Sequence, residues 1–500
     1  MTIQNPNSTH NEQINRANEA VQQTREKMKH AQYRLNYHFM SPVGWLNDPN
    51  GLIQHKGIYH LFYQFNPYSF DWGPMHWGHA TSTDLVHWQH EPVALAPSEP
   101  YEYDEAKQEM GCFSGSAVIH NDELTLIYTG HLEGHTPKEV QAIATSTDGI
   151  HFKKHEANPV IRSVPNELGS EFRDPKVWKH EEHWYMVVGT TSEGNGAIVL
   201  YKSTDLIDWE YLGIAAKGNG KQGDMWECPD LFPLGDKYVL ITSPMNMENG
   251  KCTVFVGTLD YNAGIFKPES QREIDYGIDF YAAQTFEDEQ GRRILIAWMD
   301  FPFTEFPSKA YNWSGAMTIP RILTLDDETQ HVRANPIPEL QSLRELHTNY
   351  DAFEMGANQT VGLNSNSHSH SYELICDVTV PEKIETGRIG LQLRKSVDGS
   401  EFTSVYYDIA ASEIVVDTTQ SGERSHKALN KAPLRKNNQL KFHIFVDTCS
   451  VEVFVNNGEV SLSSRIYPEL TSNGIELFTE NTKVSITSIN LWSLKNAEIE

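Results

Sequence analysis

Cysteine is scarce in this chain, five among 500 residues. Cys112, Cys228, Cys252, Cys376 and Cys449 are odd in number, widely scattered and without paired metal-ligand spacing, so reduced thiols are expected and a disulfide framework is not. Long apolar runs are missing too. No stretch approaches the roughly 18 apolar residues that a transmembrane helix needs, and residues 1–15 are polar throughout, without the apolar core of a secretory signal. A cytoplasmic location is expected, with no membrane partner. Positive charge is the third shortage: 40 Lys+Arg stand against 67 Asp+Glu, a formal net charge of −27. Such a field repels nucleic acid and favours neutral ligands.

Aromatic residues, in contrast, are plentiful, with 21 Tyr, 21 Phe and 11 Trp, which suits a folded, β-rich chain handling a sugar or a similar ligand. The length exceeds one ordinary core, so two domains, or one large repeat domain with an appendage, are expected. A single helix is persuasive. Over residues 11–31, Ile14, Ala17, Val21, Thr24 and Met28 recur at three- and four-residue steps with charges between them.

From Asp48 onward the pattern has period two, and one unit returns five times: a polar opening, a short strand, a turn and a strongly apolar strand. Its copies span 48–63, 114–128, 174–188, 230–242 and 284–298. Between copies a second signature recurs: Ser82-Thr83-Asp84-Leu85, Ser146-Thr147-Asp148-Gly149 and Ser203-Thr204-Asp205-Leu206 each precede an aromatic plug, Trp88, Phe152 and Trp209. Repeats of about four strands predict an all-β fold led by a five-bladed β-propeller. In a propeller the innermost strands line one axial channel, so opening positions of different blades converge at one mouth. Asp48, Ser114 and Asp174 hold that position in blades one to three, and Glu227 lies just before it in blade four. Gathering three carboxylates costs stability, which points to function rather than to three independent turn caps.

Beyond about residue 333 the pattern changes to a polar stretch with Pro336 and Pro338, then to strands expected near 372–378, 390–393, 405–409, 440–446, 451–455 and 484–491. This alternation predicts a C-terminal β-sandwich. The expected organisation is a helical extension at 1–37, the propeller at 38–335, a linker at 336–358 and the sandwich at 359–500. His368-Ser369-His370 lacks a third ligand and reads as a solvated loop, so no metal is expected.

Two carboxylates across a polar cavity are the minimum apparatus for cleaving a glycosidic bond, one attacking or activating water and the other protonating the departing oxygen. Asn47, Gln64, Ser114 and Arg173 offer hydrogen bonds to hydroxyls. Trp45, Trp72, Trp77, Phe113 and Trp298 offer apolar walls. Four motifs in order, Trp45-Leu46-Asn47-Asp48-Pro49-Asn50-Gly51, Cys112-Phe113-Ser114-Gly115-Ser116, Phe172-Arg173-Asp174-Pro175 and Trp226-Glu227-Cys228-Pro229, resemble glycoside hydrolase family thirty-two, the invertase and sucrose-6-phosphate hydrolase family. The hairpin Phe445-Val446-Asp447 and Val451-Glu452-Val453-Phe454 resembles that family's sandwich. The resemblance implies a retaining β-fructofuranosidase with Asp48 as nucleophile, Glu227 as general acid/base and Asp174 stabilising the transition state. It also places Asn47, Gln64, Trp72, Phe113, Ser114 and Arg173 at substrate-contact positions. No cofactor is implied.

The expected partner is a small sugar, with a homodimer left open. Two further readings stay open at this point, a fructan-oligosaccharide hydrolase and an inverting five-bladed glycosidase acting on arabinan or xylan. Arg173 is expected to keep the aspartates charged, with Glu227 holding a proton. A sucrose 6-phosphate would need a basic contact at the pocket rim, which the sequence does not locate; Lys309 and Arg321, flanking Tyr311-Asn312-Trp313, read as solvated surface. The acidic insertion 99–109 is expected to sit at the rim and to repel such a dianion.

Overall fold

The computed structural model describes residues 6–247, 251–302, 304–363, 369–422 and 427–499, so His368 lies outside the described residues. Five antiparallel sheets follow one another along the first part of the chain. Their innermost strands are Gly44–His55, Met110–His120, Phe172–His180, Met225–Leu234 and Tyr281–Glu287. Consecutive inner strands touch, and the fifth touches the first, which closes the ring of the propeller. A parallel pairing of Trp313–Ser314 with Gly44 and Trp45 adds to that closure.

The recurring Ser-Thr-Asp turns bridge the third and fourth strands of blades one to three. In blade one the Ser82 hydroxyl accepts from the Asp84 and Leu85 amides, and Asp84 Oδ1 accepts from those of Val86 and His87. The third turn repeats this pattern at Ser203 and Asp205. The fourth turn residue is left-handed, with φ of 65° at Leu85, 77° at Gly149 and 69° at Leu206. Trp88 and Trp209 then donate their indole N–H to the carbonyls of Leu85 and Leu206, so the aromatic plug is latched to its own turn.

Each inner strand breaks register with its neighbour near its start. Two residues face one at Asn47-Asp48, Asp174-Pro175, Cys228-Pro229 and Ala282-Ala283, and Ser114 is the single extra residue in blade two. Proline explains part of this, since Pro49, Pro175 and Pro229 have no N–H to give to the ladder. Asp174, Cys228 and Ala282 take φ of 66°, 47° and 53°. A bulge bends the strand and re-aims its side chains. Five bulges at the same level therefore turn five short segments toward one mouth.

The C-terminal part is a sandwich of a seven-stranded and a six-stranded sheet. Leu374, Ile444 and Val453 of one sheet pack on Leu391, Val405 and Leu477 of the other. The stretch 336–358, expected as a linker, instead carries a 3-10 turn, Pro338–Leu343, and an edge strand, Arg344–Tyr350, that pairs with Val484–Leu494. The helix, expected at 11–31, spans Pro6–Met28. It stops early because Tyr33, Leu35 and Met40 are drawn into a small core with Trp313 and Tyr467. Ala17 is fully buried, and Asn18 Oδ1 accepts from the Val93 amide, which docks the helix on the outer strand of blade one.

The sandwich grips the propeller through buried charges. Arg321 donates to Asp275 (2.7 Å) and Glu452 (2.5 Å), and His38 sits between Asp447 (2.8 Å) and Glu452 (2.9 Å). Arg321, expected at a solvated surface, is instead fully buried in this interface.

Candidate active site

At the propeller mouth lies a cavity of about 720 Å³. Trp45, Asn47, Asp48, Gln64, Trp72, Phe113, Ser114, Arg173, Asp174, Glu227 and Trp298 all line it. Trp77 does not. It is fully buried between blades one and two, where its indole N–H donates to the Phe113 carbonyl (3.0 Å).

Asp48 is held by its neighbours. Oδ2 accepts from the Ser114 hydroxyl (2.6 Å), Oδ1 from Asn47 Nδ2 (3.0 Å), and the Cys228 thiol lies 3.5 Å from Oδ2. Asn47 is fixed in turn, because its Oδ1 accepts from the Trp45 indole at 2.7 Å. Burial raises the Asp48 pKa, with the Ser114 hydrogen bond opposing and the Glu227 charge adding to the rise. Cys228 makes a weak hydrogen bond here, and burial among these carboxylates pushes its thiol up.

Asp174 sits deeper. Its Oδ2 accepts from the Cys228 amide (2.8 Å), and its own amide donates to Thr129 Oγ1 (3.0 Å). Burial, reinforced by the charges of Glu227 and Asp48 and opposed by Arg173, pushes its pKa up to about 8. The expectation that Arg173 keeps both aspartates charged therefore fails for Asp174. The reason is burial, which outweighs the guanidinium charge, and the guanidinium's own hydrogen bonds go elsewhere. Nε and Nη2 fork onto Glu227 Oε1 at 3.1 and 2.9 Å, Nη1 goes to Glu139 (3.1 Å) and Glu171, and Nη2 also meets Met245 Sδ (3.1 Å).

Glu227 has a second partner that the sequence reading missed. Tyr281 donates its hydroxyl to Oε2 at 2.6 Å. The signal was present: Tyr281 precedes Gln284 by three residues, as Glu227 precedes Asp230, so both stand just before the bulge of their blade. His131 and Glu139 were missed as well. His131 stacks on Phe113 with centroids 4.1 Å apart, and Trp72 meets the Phe113 edge at 5.9 Å. Burial would raise Glu139, but Arg173 and the His131 hydrogen bond outweigh it and bring its pKa down to about 2.

The insertion at 99–109 also differs from expectation. Glu102 turns inward, fully buried, where Lys154 pairs with it and Tyr128 donates to it at 3.0 Å. Only Glu109 of the insertion lines the cavity. Buried carboxylates are paired where a partner exists, and Lys154 supplies one.

Residues 38–336 match the model of the glycosyl hydrolases family 32 N-terminal domain, and residues 339–493 match that of the family 32 C-terminal domain. The chain belongs to glycosyl hydrolases family 32. A sucrose-6-phosphate hydrolase of Zymomonas mobilis is 39% identical, over 97% of this chain and 96% of that protein. A raffinose invertase of Escherichia coli is 38% identical over 92% and 94%. Among solved structures, a family 32 β-fructofuranosidase of Bombyx mori superposes with a TM-score of 0.82 at 33% identity, covering 97% of this chain and 98% of that one. As a family 32 member the chain is a glycoside hydrolase, and its mouth gathers what that chemistry needs: carboxylates in unlike environments, hydroxyl-binding groups and aromatic walls. No described helix is long and apolar enough to cross a membrane.

Proposed function

We propose that this chain is a cytoplasmic, retaining β-fructofuranosidase that hydrolyses sucrose and, as a physiological substrate, sucrose 6-phosphate. The observation that carries the reading is the convergence of Asp48, Asp174 and Glu227 from three blades on one cavity, with Asp48 and Glu227 held by different partners. The names of the relatives support the substrate. Residues 38–335 carry the chemistry in this reading, and 359–500 brace the propeller.

Asp48, aligned by Ser114 and Asn47, attacks the anomeric carbon of the fructosyl unit, and the leaving oxygen takes its proton from Glu227. Water, deprotonated by Glu227, then cleaves the fructosyl ester. Asp174 faces the positive charge that develops on the ring, so its stabilisation is strongest when it is ionised and the bond is half broken. Sugar hydroxyls donating to Asp174 favour that ionised form and pass the proton it holds in the free site to Glu227, the acid that delivers it to the leaving oxygen.

The phosphate half rests on Lys138. Arg173 and Lys138 are the arginine and lysine among the described residues that line the cavity, and the five N–H groups of Arg173 are already committed. Lys138 pairs with Glu171 at 2.5 Å and is partly exposed, so it can exchange that partner for a phosphate oxygen. Lys309 is less suited, lying over Trp45 and pairing with Asp71. Michaelis constants for sucrose and its 6-phosphate decide the matter. The phosphate sugar should show the lower value, rising with salt, and Lys138→Met should erase the difference while sparing sucrose. Equal constants in the unaltered protein would remove sucrose 6-phosphate from the reading.

A further inference from the structure

We propose that Glu109, His131 and Glu133 form a binding site for a borderline divalent cation, of the zinc class, at the rim of the cavity. The ladder of the hairpin Met110–His120 and Glu123–Leu132 sets the geometry. Gly111 pairs with His131 and Met110 with Leu132, and just beyond them the Glu133 amide donates to the Glu109 carbonyl (3.1 Å). With side chains alternating between faces, His131, Glu133 and Glu109 share one face, and Gly111 puts no side chain opposite the imidazole. One ligand atom from each residue lies within 4.8 Å of the other two.

Two acids beside a histidine would be ordinary surface were it not for the state of the ring. His131 is 2% exposed, and its Nε2 has no hydrogen-bond partner, although it points at Glu109 Oε1 and Glu133 Oε2, each 4.0 Å away. A buried ring nitrogen left without a partner costs stability. The ring is oriented from the other side. Nδ1 lies 3.1 Å from Glu139 Oε1, which Arg173 Nη1 also meets at 3.1 Å, so Nε2 is the nitrogen turned toward the two carboxylates. A carboxylate behind a histidine whose far nitrogen is free is the arrangement that orients metal-binding imidazoles.

The gap fits a cation with ligand distances of about 2.0 to 2.2 Å, once the half-exposed carboxylates close in slightly. An imidazole nitrogen in the set favours zinc, cobalt or nickel over magnesium or calcium. The cation would offset the charge of two rim carboxylates and lock the His131 ring against the Phe113 wall.

The test uses the full chain after chelator treatment and dialysis. Calorimetric titration with zinc chloride should show one equivalent bound. Glu109→Gln/Glu133→Gln, altered only at half-exposed side chains, should lose that site or weaken it by on the order of tenfold or more, with an unchanged melting temperature. Glu133→Gln alone, which lies outside the cavity lining, should weaken zinc binding and leave sucrose hydrolysis by the metal-free protein as it was. Cobalt(II) added in place of zinc should give a visible absorption band that the double variant lacks. No stoichiometric zinc in the unaltered chain, or undiminished binding in the double variant, would overturn the proposal.

Discussion

At the scale of single residues, three carboxylates in one cavity are kept unlike by their partners. Tyr281 and Arg173 clamp Glu227 from two sides, Ser114 and Asn47 hold Asp48, and Asp174 keeps a proton in the free site up to a pKa of about 8. Removing one charge-assisted hydrogen bond costs about 1.5 to 3 kcal/mol. Tyr281→Phe should therefore lower kcat/KM by roughly ten- to a hundredfold, measured on sucrose at a temperature where a thermal melt shows the variant folded. The proton inventory gives a second outcome. Because kcat/KM reports the free protein, it should fall as pH rises through about 8, where the cluster loses the proton that burial keeps on Asp174. A flat profile from pH 7 to 9 would count against that assignment. Asp48, Ser114, Asp174 and Glu227 were legible because polar and proline residues stand where strands should begin apolar. Tyr281 escaped notice because its bulge, Ala282-Ala283, shows no such residue. His131 and Glu139 lie inside ordinary alternating strands, where a sequence does not say which neighbour they face.

At the scale of elements, the five inner strands share one device, a bulge near the start that turns the chain toward the axis. Period-two patterning located those strands, and the Ser-Thr-Asp turns marked the blade edges. Arg344–Tyr350 was not legible as a strand because it is a mostly exposed edge with no alternating apolar face. The hairpin Gln439–Asp447 and Ser450–Val455 fastens the sandwich to the propeller through His38. Burial opposes protonation of that ring, but hydrogen bonds from both nitrogens to Asp447 and Glu452 outweigh it and raise its pKa to about 9. The folded value lies above the unfolded value of about 6.5, so the contribution is complete below that pH and disappears as pH climbs to about 9. Its size is roughly 3 kcal/mol. Unfolding midpoints in urea should fall across this window, and His38→Gln should flatten the slope; a midpoint independent of pH in the unaltered protein would contradict the pairing.

At the scale of the molecule, a closed ring of blades carries chemistry at one mouth while a sandwich locks its first and last blades from the side. Family membership, fold and cavity agree on glycoside hydrolysis. The distinguishing claim is that Asp48 forms a covalent bond to the fructosyl unit and Glu227 later activates the water that breaks it. Glu227→Ala removes the proton needed by poor leaving groups and slows the second step, so an aryl fructoside with a good leaving group should load this variant. Intact-mass analysis with peptide mapping after such a reaction is the most direct measurement. The account predicts one fructosyl group per chain, on the peptide containing Asp48, and none when Asp48→Ala is added. Turnover by the unaltered protein to a product of inverted anomeric configuration, with no adduct under any condition, would contradict it.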